Sequence, residues 1–274
     1  MMKPTDRDPD LDVVEEIYDA LDAGEPERAH ELATAALTAY DDDPVLHFLS
    51  GIALMEADRP ARAVASLERA TGLDPDDAEF RAYLALALYR CARMEEALPH
   101  ARQAVEADAA LPDAHSVLAL LIERTGDHAA ADEHLARAAK LDPDRFPLPS
   151  RMSEEEFGTH VANARSLLPE PFAGHLDEVT VLVEPLPADE ILREEDPPLD
   201  PELFGLFVGV PLTGRSTFSP GGELPPRILV FQRNLERCFP DGEELEREIA
   251  TTIYHELGHY LGLDEDELEA IDLA

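Results

Sequence analysis

Tryptophan is absent from this chain of 274 residues, cysteine occurs only at Cys91 and Cys238, and lysine occurs only at Lys3 and Lys140. Two cysteines so far apart give no basis for the disulfide framework that holds many small secreted domains together. Long apolar runs are also missing, since no uninterrupted segment approaches the length of a membrane span. These absences argue against a disulfide-stabilised small fold and predict that the protein does not cross a membrane.

Basic residues in general are scarce: Lys and Arg number 22 against 60 Asp and Glu, which gives a formal net charge of -38 and a pI of about 4.3. Such a surface repels phosphate backbones and anionic lipids, so we expect no nucleic-acid or membrane partner. Proteins, peptides, small molecules and cations are the favoured partners. The N-terminal segment MMKPTDRDPDLD lacks the apolar core of a secretory signal, which predicts a cytoplasmic protein.

The first half of the chain contains an internal repeat. The segment LDPDD at Leu73 returns as LDPDR at Leu141, an offset of twice 34 residues. With repeats that start at residues 10, 44, 78 and 112, alanine fills the twentieth and the twenty-seventh position of every repeat. These positions are Ala29, Ala63, Ala97, Ala131, and Ala36, Ala70, Ala104, Ala138. Small residues there allow the two helices of a pair to cross closely.

This 34-residue pattern resembles the tetratricopeptide repeat, and it covers residues 9–145 as about four repeats. Gly24 and Gly126 fall at turns between helices, where glycine adopts a left-handed backbone at little cost. The first repeat departs most from the family pattern, with Glu16 and Ile17 where Leu and Gly are usual. The resemblance implies a helical solenoid whose surface binds extended peptides or other proteins.

A second domain follows over residues 150–274, after the proline-containing segment DRFPLPSRMS. Ser153 with Glu156 predicts a capping box that opens a helix, and Asp241 with Glu244 predicts the start of a last helix. Between them, EVTVLVEP, LFGLFVGVPL and RILVFQRNL are typical of strands, and the third could present an edge to a peptide backbone. This order of elements predicts a small α+β domain.

The last predicted helix carries the pentapeptide HELGH, which places His255 and His259 four residues apart on one helical face. Two neutral imidazoles at that spacing can both bind one zinc ion at about 2.0–2.1 Å. Glu256 follows the first histidine, where it can take a proton from a water molecule that the metal polarises. The spacing therefore indicates a hydrolase with Zn²⁺ as its cofactor and Glu256 as its general base.

The residues after the second histidine bear on the third metal ligand. Gly262 lets the helix stop and the chain reverse, and the extended spacing H-E-x-x-H-x-x-G-x-x then reaches Glu265. Its neighbours Asp264 and Asp266 are the alternatives. Each of the three acids offers a carboxylate oxygen, which zinc accepts beside two histidine nitrogens.

Four segments, MSEEEF, GLFVGVPLTGRS, LPPRILVFQRNLE and YHELGHYLGLDEDELE, resemble the small bacterial zincin-like metallopeptidases, and they span essentially all of residues 150–274. The resemblance implies a compact zincin-like α+β fold with a small mixed sheet and an active-site helix. It also implies that His255, His259 and Glu265 bind zinc and that Glu256 is the general base. It does not supply a substrate.

Two functions are compatible with these patterns. The first is a zinc-dependent metallopeptidase whose repeat array recruits a protein partner or substrate. Arg215, in the segment TGRS, is then the candidate cation for a developing oxyanion or a substrate carboxylate. The second is a non-enzymatic adaptor in which the repeats do the biological work and the metal site is structural or vestigial. A structural site would have four protein ligands, whereas a catalytic site keeps an open position.

Overall fold

The structure, a computed structural model, describes residues 11–169, 172–212 and 225–270. Among these residues helices predominate, and the strands lie in the C-terminal part of the chain. No helix among the described residues combines the length and the apolar composition that a bilayer crossing requires.

The chain divides into two compact units. The first holds the described residues up to Pro147 together with Arg193–Asp200, and the second holds Leu148–Leu192 and the described residues from Pro201 onward. No sequence pattern pointed to the grouping of Arg193–Asp200 with the first unit. The predicted domain limits, the first at residue 145 and the second from residue 150, stay predictions.

The first unit consists mainly of helices that follow one another as four pairs. In chain order α1 to α8 lie at Leu11–Asp22, Pro26–Leu37, Pro44–Glu56, Pro60–Leu73, Ala78–Arg90, Met94–Ala107, Pro112–Glu123 and His128–Leu141. The helices α3, α5 and α7 begin at the predicted repeat starts, residues 44, 78 and 112. Each helix packs chiefly against the helices before and after it in sequence, which confirms the predicted helical repeat array.

Several helix starts in this array are encoded locally. Asp43 and Asp77 cap α3 and α5, because their carboxylates accept hydrogen bonds from the N–H groups of Leu46 and Phe80, both at 2.9 Å. Proline occupies the first position of α2, α3, α4 and α7, where its missing N–H costs no intrahelical bond. These helices therefore begin where short-range signals predict.

The turns within the helix pairs repeat one backbone conformation. Gly24, Asp58, Ala92 and Gly126 follow each other at intervals of 34 residues, and their φ angles are 69°, 54°, 54° and 83°. The two glycines confirm the prediction for these turns. Asp58 and Ala92 adopt the same left-handed conformation despite their side chains, at a cost that glycine avoids. The array thus keeps one turn geometry in every repeat.

The alanines that define the period lie at buried positions. Seven of the eight are 0% exposed, and Ala36 in the first repeat is partly buried. A larger side chain at a close helix crossing would push the two helix axes apart. The small-residue positions predicted from the period are therefore confirmed as buried contacts.

The second unit is a small α+β domain. Its described elements are α9 at Glu154–Arg165, a 3-10 helix at Phe172–Glu178, β1 at Thr180–Glu184, α10 at Asp189–Leu192, β2 at Gly205–Val208, β3 at Arg227–Phe231, α11 at Gln232–Cys238, α12 at Gly242–Leu261 and α13 at Glu265–Ala270. The capping box of Ser153 with Glu156 forms as predicted, and so does the cap of Asp241 on α12.

The segment RILVFQRNL differs from its predicted structure. It is a strand only as far as Phe231 and then continues as the helix α11. The helical turn brings the side-chain amide of Asn234 to the carbonyl oxygens of Pro201 and Leu203, at 2.9 and 2.8 Å. A strand would carry this side chain to a different place, so the buried hydrogen bonds favour the helix.

The three strands form one mixed sheet in the order β1-β3-β2. β1 pairs with β3 in parallel, and β2 pairs with β3 antiparallel. The predicted small mixed sheet is confirmed. Because β3 is paired on both sides, the prediction that it offers an edge to a peptide is wrong. Among the described strands, β1 and β2 lie at the edges.

One apolar cluster holds α9, the sheet and α12 together. From α12 it takes Ile249, Ile253 and Leu257, and from β3 it takes Ile228 and Val230, all 0% exposed. Burial of such side chains is the main stabilising contribution in a domain of this size. The cluster fixes α12, the helix that carries HELGH, against the sheet.

Candidate metal centre

Helix α12 places two histidines on one face near its C-terminal end. Asp241 starts the helix by accepting hydrogen bonds from the N–H groups of Glu243 and Glu244, both at 3.0 Å. Further along, the Nε2 atoms of His255 and His259 lie 3.1 Å apart. Their side chains are 25% and 27% exposed, so the two rings converge at a place that solvent reaches.

The chain reverses directly after α12. Gly262 ends the helix with a φ of 92°, and the N–H of Leu263 donates to the carbonyl oxygen of Gly258 at 3.0 Å. Glycine adopts this left-handed ending without strain. Asp264 then caps α13: its Oδ1 accepts from the N–H of Glu267 at 3.0 Å, and its own N–H donates to the Glu267 carboxylate at 3.1 Å.

The reversal brings Glu265, the first residue of α13, back to the histidines. One carboxylate oxygen lies 3.4 Å from Nε2 of His259, and the other lies 3.6 Å from Nε2 of His255. Each residue offers one ligand atom, and the three atoms lie within 4.8 Å of one another. Ligands around a tetrahedral zinc ion, at bond lengths of about 2.0–2.1 Å, are roughly 3.3 Å apart, so the nearest-atom contacts of 3.1, 3.4 and 3.6 Å are close to the spacing of such an ion.

The turn after α12 also determines which nitrogen of His259 carries hydrogen. Its Nδ1 lies 3.2 Å from the carbonyl oxygen of Leu263. Because a carbonyl can only accept, Nδ1 donates, and Nε2 of the neutral ring keeps its lone pair. Nε2 is the nitrogen that faces His255 and Glu265. A metal-binding histidine commonly has this arrangement, with its second nitrogen held by a backbone carbonyl.

Glu256 follows His255 in sequence, but its side chain is buried and only 7% of the residue is exposed. The N–H of Phe207 in β2 donates to its Oε2 at 2.6 Å. Burial raises the pKa of the Glu256 carboxyl above its ordinary value, against the opposing effect of His259, His255 and the Phe207 N–H. A carboxyl held in one orientation, with a raised pKa, is suited to accept a proton.

The close approach of β2 to α12 depends on Gly205. A Cβ atom at this position would overlap the Cγ2 of Thr252 and would lie 3.1 Å from the carbonyl oxygen of Leu229. The missing side chain therefore lets the strand lie against the helix. Two residues along the strand, the N–H of Phe207 then reaches Glu256.

Comparison with protein families agrees with this arrangement. A family model described as zincin-like metallopeptidase matches residues 176–274, and one described as tetratricopeptide repeat matches residues 20–87 and 54–121. The chain joins tetratricopeptide repeats to a zincin-like domain. A search of curated proteins found no significant match.

Several solved structures resemble part of the chain. MamA 41-end from Desulfovibrio magneticus RS-1 is 24% identical, with a TM-score of 0.42 over 48% of this chain and 74% of that chain. YrrB, described as a TPR protein with an unusual peptide-binding site, is 23% identical, with a TM-score of 0.41 over 47% of this chain and 66% of that chain. A Thermobaculum terrenum O-GlcNAc transferase mutant is 20% identical, with a TM-score of 0.45 over 53% of this chain and 28% of that chain. The descriptions of the two domains as tetratricopeptide repeats and as zincin-like rest on the family models and not on these similarities.

Within the zincin-like domain, the three acids predicted as alternative third ligands occupy different places. Glu265 faces the histidines, whereas Asp264 is used as the cap of α13. Asp266 does not belong to the cluster of possible ligands in the described part of the chain. Arg215 lies outside the described residues, so its role stays a prediction.

Two groups beside the candidate centre of the zincin-like domain are missed by sequence reasoning. They are the N–H of Phe207, which holds Glu256, and the carbonyl of Leu263, which holds His259. Both are backbone groups, and residue type says almost nothing about where a backbone group will lie. The one useful signal is Gly205, because a glycine inside a strand often marks a close approach of another element.

Proposed function

We propose that this protein is a zinc-dependent peptidase whose repeat array recruits a protein substrate or partner. The observation that carries the proposal is the convergence of His255, His259 and Glu265 within 4.8 Å, next to the buried carboxyl of Glu256. The match of the surrounding domain to zincin-like metallopeptidases supports it.

The proposed chemistry divides between the ion and the chain. A bound zinc ion supplies Lewis acidity, which lowers the pKa of water and polarises a peptide carbonyl. His255, His259 and Glu265 hold the ion through two neutral nitrogens and one carboxylate. Glu256 accepts a proton from the attacking water and delivers it to the leaving amine. The N–H of Phe207 keeps the Glu256 carboxylate in one orientation during this transfer.

The number of ligands favours a catalytic site over a structural one. The cluster among the described residues offers three possible protein ligands. Structural zinc sites are usually closed by four, whereas catalytic sites keep a position open for water or substrate. The adaptor function, with a structural or vestigial metal site, is therefore the less supported of the two. We assign partner recruitment to the repeats in either case, since such arrays commonly bind extended peptides or protein surfaces.

Substitution of Glu256→Gln tests the proposed mechanism. The chain is purified without added metal, its zinc content is measured, and cleavage of a mixture of quenched fluorescent peptides is followed. We expect about one zinc ion per chain in both proteins. Cleavage should fall by roughly 10²–10⁴-fold in the variant, because the general base is lost. Glu244→Gln, the same change at an exposed position of α12, is the control and should retain activity.

Two results would contradict this proposal. Full peptidase activity in the Glu256→Gln variant would show that another group accepts the proton. A zinc-to-protein ratio near zero that added zinc does not raise would favour the adaptor function instead.

A further inference from the structure

Helix α13 is too short to hold its own position. It spans six residues, and isolated helices of that length do not persist in water. Glu265 itself is 71% exposed, so packing of its own side chain does not restrain it. A different contact must hold α13 in place if the carboxylate is to stay within 3.6 Å of the histidine nitrogens.

Leu268 makes that contact. It is 0% exposed, although the four acidic residues before it are all exposed. Its Cδ2 fills the space where a Cβ atom on Gly258 would lie, and such a Cβ would overlap it. Gly258 directly precedes His259 in HELGH. The glycine of the metal-binding pentapeptide therefore forms a notch, and Leu268 occupies it.

The helix connects Leu268 to Glu265. The two residues are three positions apart on α13, so their side chains lie on the same face. The N–H of Leu268 donates to the carbonyl oxygen of Asp264 at 2.9 Å, which closes the turn that contains both. Leu263 packs beside the same notch, with its Cδ1 3.7 Å from the Cβ position of Gly258. A side chain anchored in the notch thus turns Glu265 toward the histidines.

We propose that Leu268, seated on Gly258, is a positioning residue for the third metal ligand. The inference rests on the proposed zinc site and assigns Leu268 no contact with the ion. Leu268 restrains Glu265 before the ion arrives, so that less conformational freedom is lost on binding. Groups that orient a ligand in this way typically change metal affinity by about 10–100-fold.

The zinc affinity of the full chain, measured by competition with a chromophoric chelator, tests this proposal. Leu268→Ala should weaken zinc binding by roughly 10-fold or more, because Glu265 is no longer held. Gly258→Ala should have an effect in the same direction, because the new methyl group displaces Leu268. Leu268→Met retains apolar volume and should stay within about threefold of the wild type. Leu167→Ala, at a leucine that is 54% exposed, is the control and should leave the affinity unchanged.

A double substitution separates positioning from general destabilisation. Because Glu265 is exposed, Glu265→Ala removes the ligand with little effect on packing. In that background Leu268→Ala should change zinc affinity by less than about twofold, since the two residues act through one ligand. In the metal-free protein, hydrogen exchange of the α13 amides should rise in Leu268→Ala, which reports the loss of restraint without any measurement of activity.

An equal loss of affinity from Leu268→Ala with and without Glu265 would overturn the inference. Unchanged affinity in both Leu268→Ala and Gly258→Ala would do the same. If Leu268→Ala does not fold, the zinc affinities of Leu268→Val and Gly258→Ala, each measured with and without Glu265, provide the same test. Failure of the wild-type chain to bind zinc would overturn the proposed function together with this inference. Zinc binding by the wild-type chain that substitutions at Leu268 and Gly258 leave unchanged would overturn the inference alone.

Discussion

Contacts in the repeat array join residues that are near one another in sequence, whereas contacts in the zincin-like domain join residues that are far apart. Arg90 contacts Asp58 and Arg145 contacts Asp113, in each case across 32 residues, close to the length of one repeat. An exception is the segment Arg193–Asp200, where Asp200 contacts Arg90 across 110 residues. In the zincin-like domain, by contrast, His160 of α9 contacts Glu246 of α12 across 86 residues, with a distance of 2.9 Å between Nδ1 and Oε1.

This difference decides how each region responds to a substitution. A helix pair of the array is supported mainly by the neighbouring pairs, so its stability is close to a sum of contributions from itself and from the contacts with those neighbours. The zincin-like domain has one core shared by α9, the sheet and α12. A single buried change there should affect the strands and α12, the helix of the candidate metal centre, together.

The largest effect is expected at Phe157, which is 0% exposed in the core of the zincin-like domain. Phe157→Ala should lower the free energy of unfolding of this domain by roughly 3–5 kcal/mol. Hydrogen exchange resolved by segment should then rise in α9, the sheet and α12 together. Leu167→Ala, which truncates an exposed side chain just after α9, should change stability by no more than about 0.5 kcal/mol. A rise in exchange confined to α9 would show that the core is not shared.

A smaller effect, limited in extent, is expected from overpacking the array. Ala63 is 0% exposed in α4, and Ala65 on the same helix is exposed. Ala63→Leu should destabilise the array by roughly 1–3 kcal/mol, because the helix crossing must open to admit the larger side chain. Ala65→Leu should be within about 0.5 kcal/mol of the wild type. Hydrogen exchange should rise most in α3, α4 and α5. An equal rise in all eight helices would contradict the idea that each helix pair depends mainly on its neighbours.

The contact between β2 and α12 tests whether contacts between distant residues stabilise the zincin-like domain. Gly205→Ala should cost about 1–2 kcal/mol, because the new methyl group overlaps Thr252. It should also loosen the hydrogen bond from Phe207 to Glu256, which faster exchange of the Phe207 amide would report. Thr252→Ser removes the obstructing methyl group and keeps the hydroxyl, so the double variant should regain most of the loss. No recovery in the double variant would count against the overlap as the cause.

The smallest effect, and a stabilising one, is expected at a turn of the array. Ala92 has a φ of 54°, which an alanine adopts at a cost. Ala92→Gly should raise the free energy of unfolding by up to about 0.5 kcal/mol, because the strain removed exceeds the added freedom of the unfolded chain and the lost burial of the Ala92 methyl group, which is 3% exposed. Ala65→Gly, in the exposed interior of α4, should lower it by up to about 1 kcal/mol. Thermal unfolding would measure both changes. A loss of stability in Ala92→Gly would contradict the hypothesis that the backbone is strained at Ala92.

Most of the array could be predicted from the sequence. The period of 34 residues places the starts of α3, α5 and α7 and the buried alanines, because each repeat makes the same contacts with its neighbours. Residue type did not predict the positive φ of Asp58 and Ala92, since alanine disfavours this conformation and aspartate only tolerates it. The array imposes the conformation through the packing of the flanking helices.

The zincin-like domain was predictable only in part. Its caps and the approximate places of its strands follow from short patterns, but the order of the strands does not. The central place of β3 and the meeting of Phe207 with Glu256, 49 residues apart, depend on which apolar faces are buried together. No local pattern records such a pairing.

At the metal centre, the sequence alone determined that His255 and His259 share a face, because every α-helix has about 3.6 residues per turn wherever it lies. It also narrowed the candidates for a third metal ligand to the three consecutive acids Asp264, Glu265 and Asp266. The tertiary structure brings one of them, Glu265, to the histidines, whereas Asp264 caps α13 and Leu268 enters the notch on Gly258. The physical reason is that spacing along a helix is set by backbone geometry, whereas the direction of a short helix is set by the side chain that it buries.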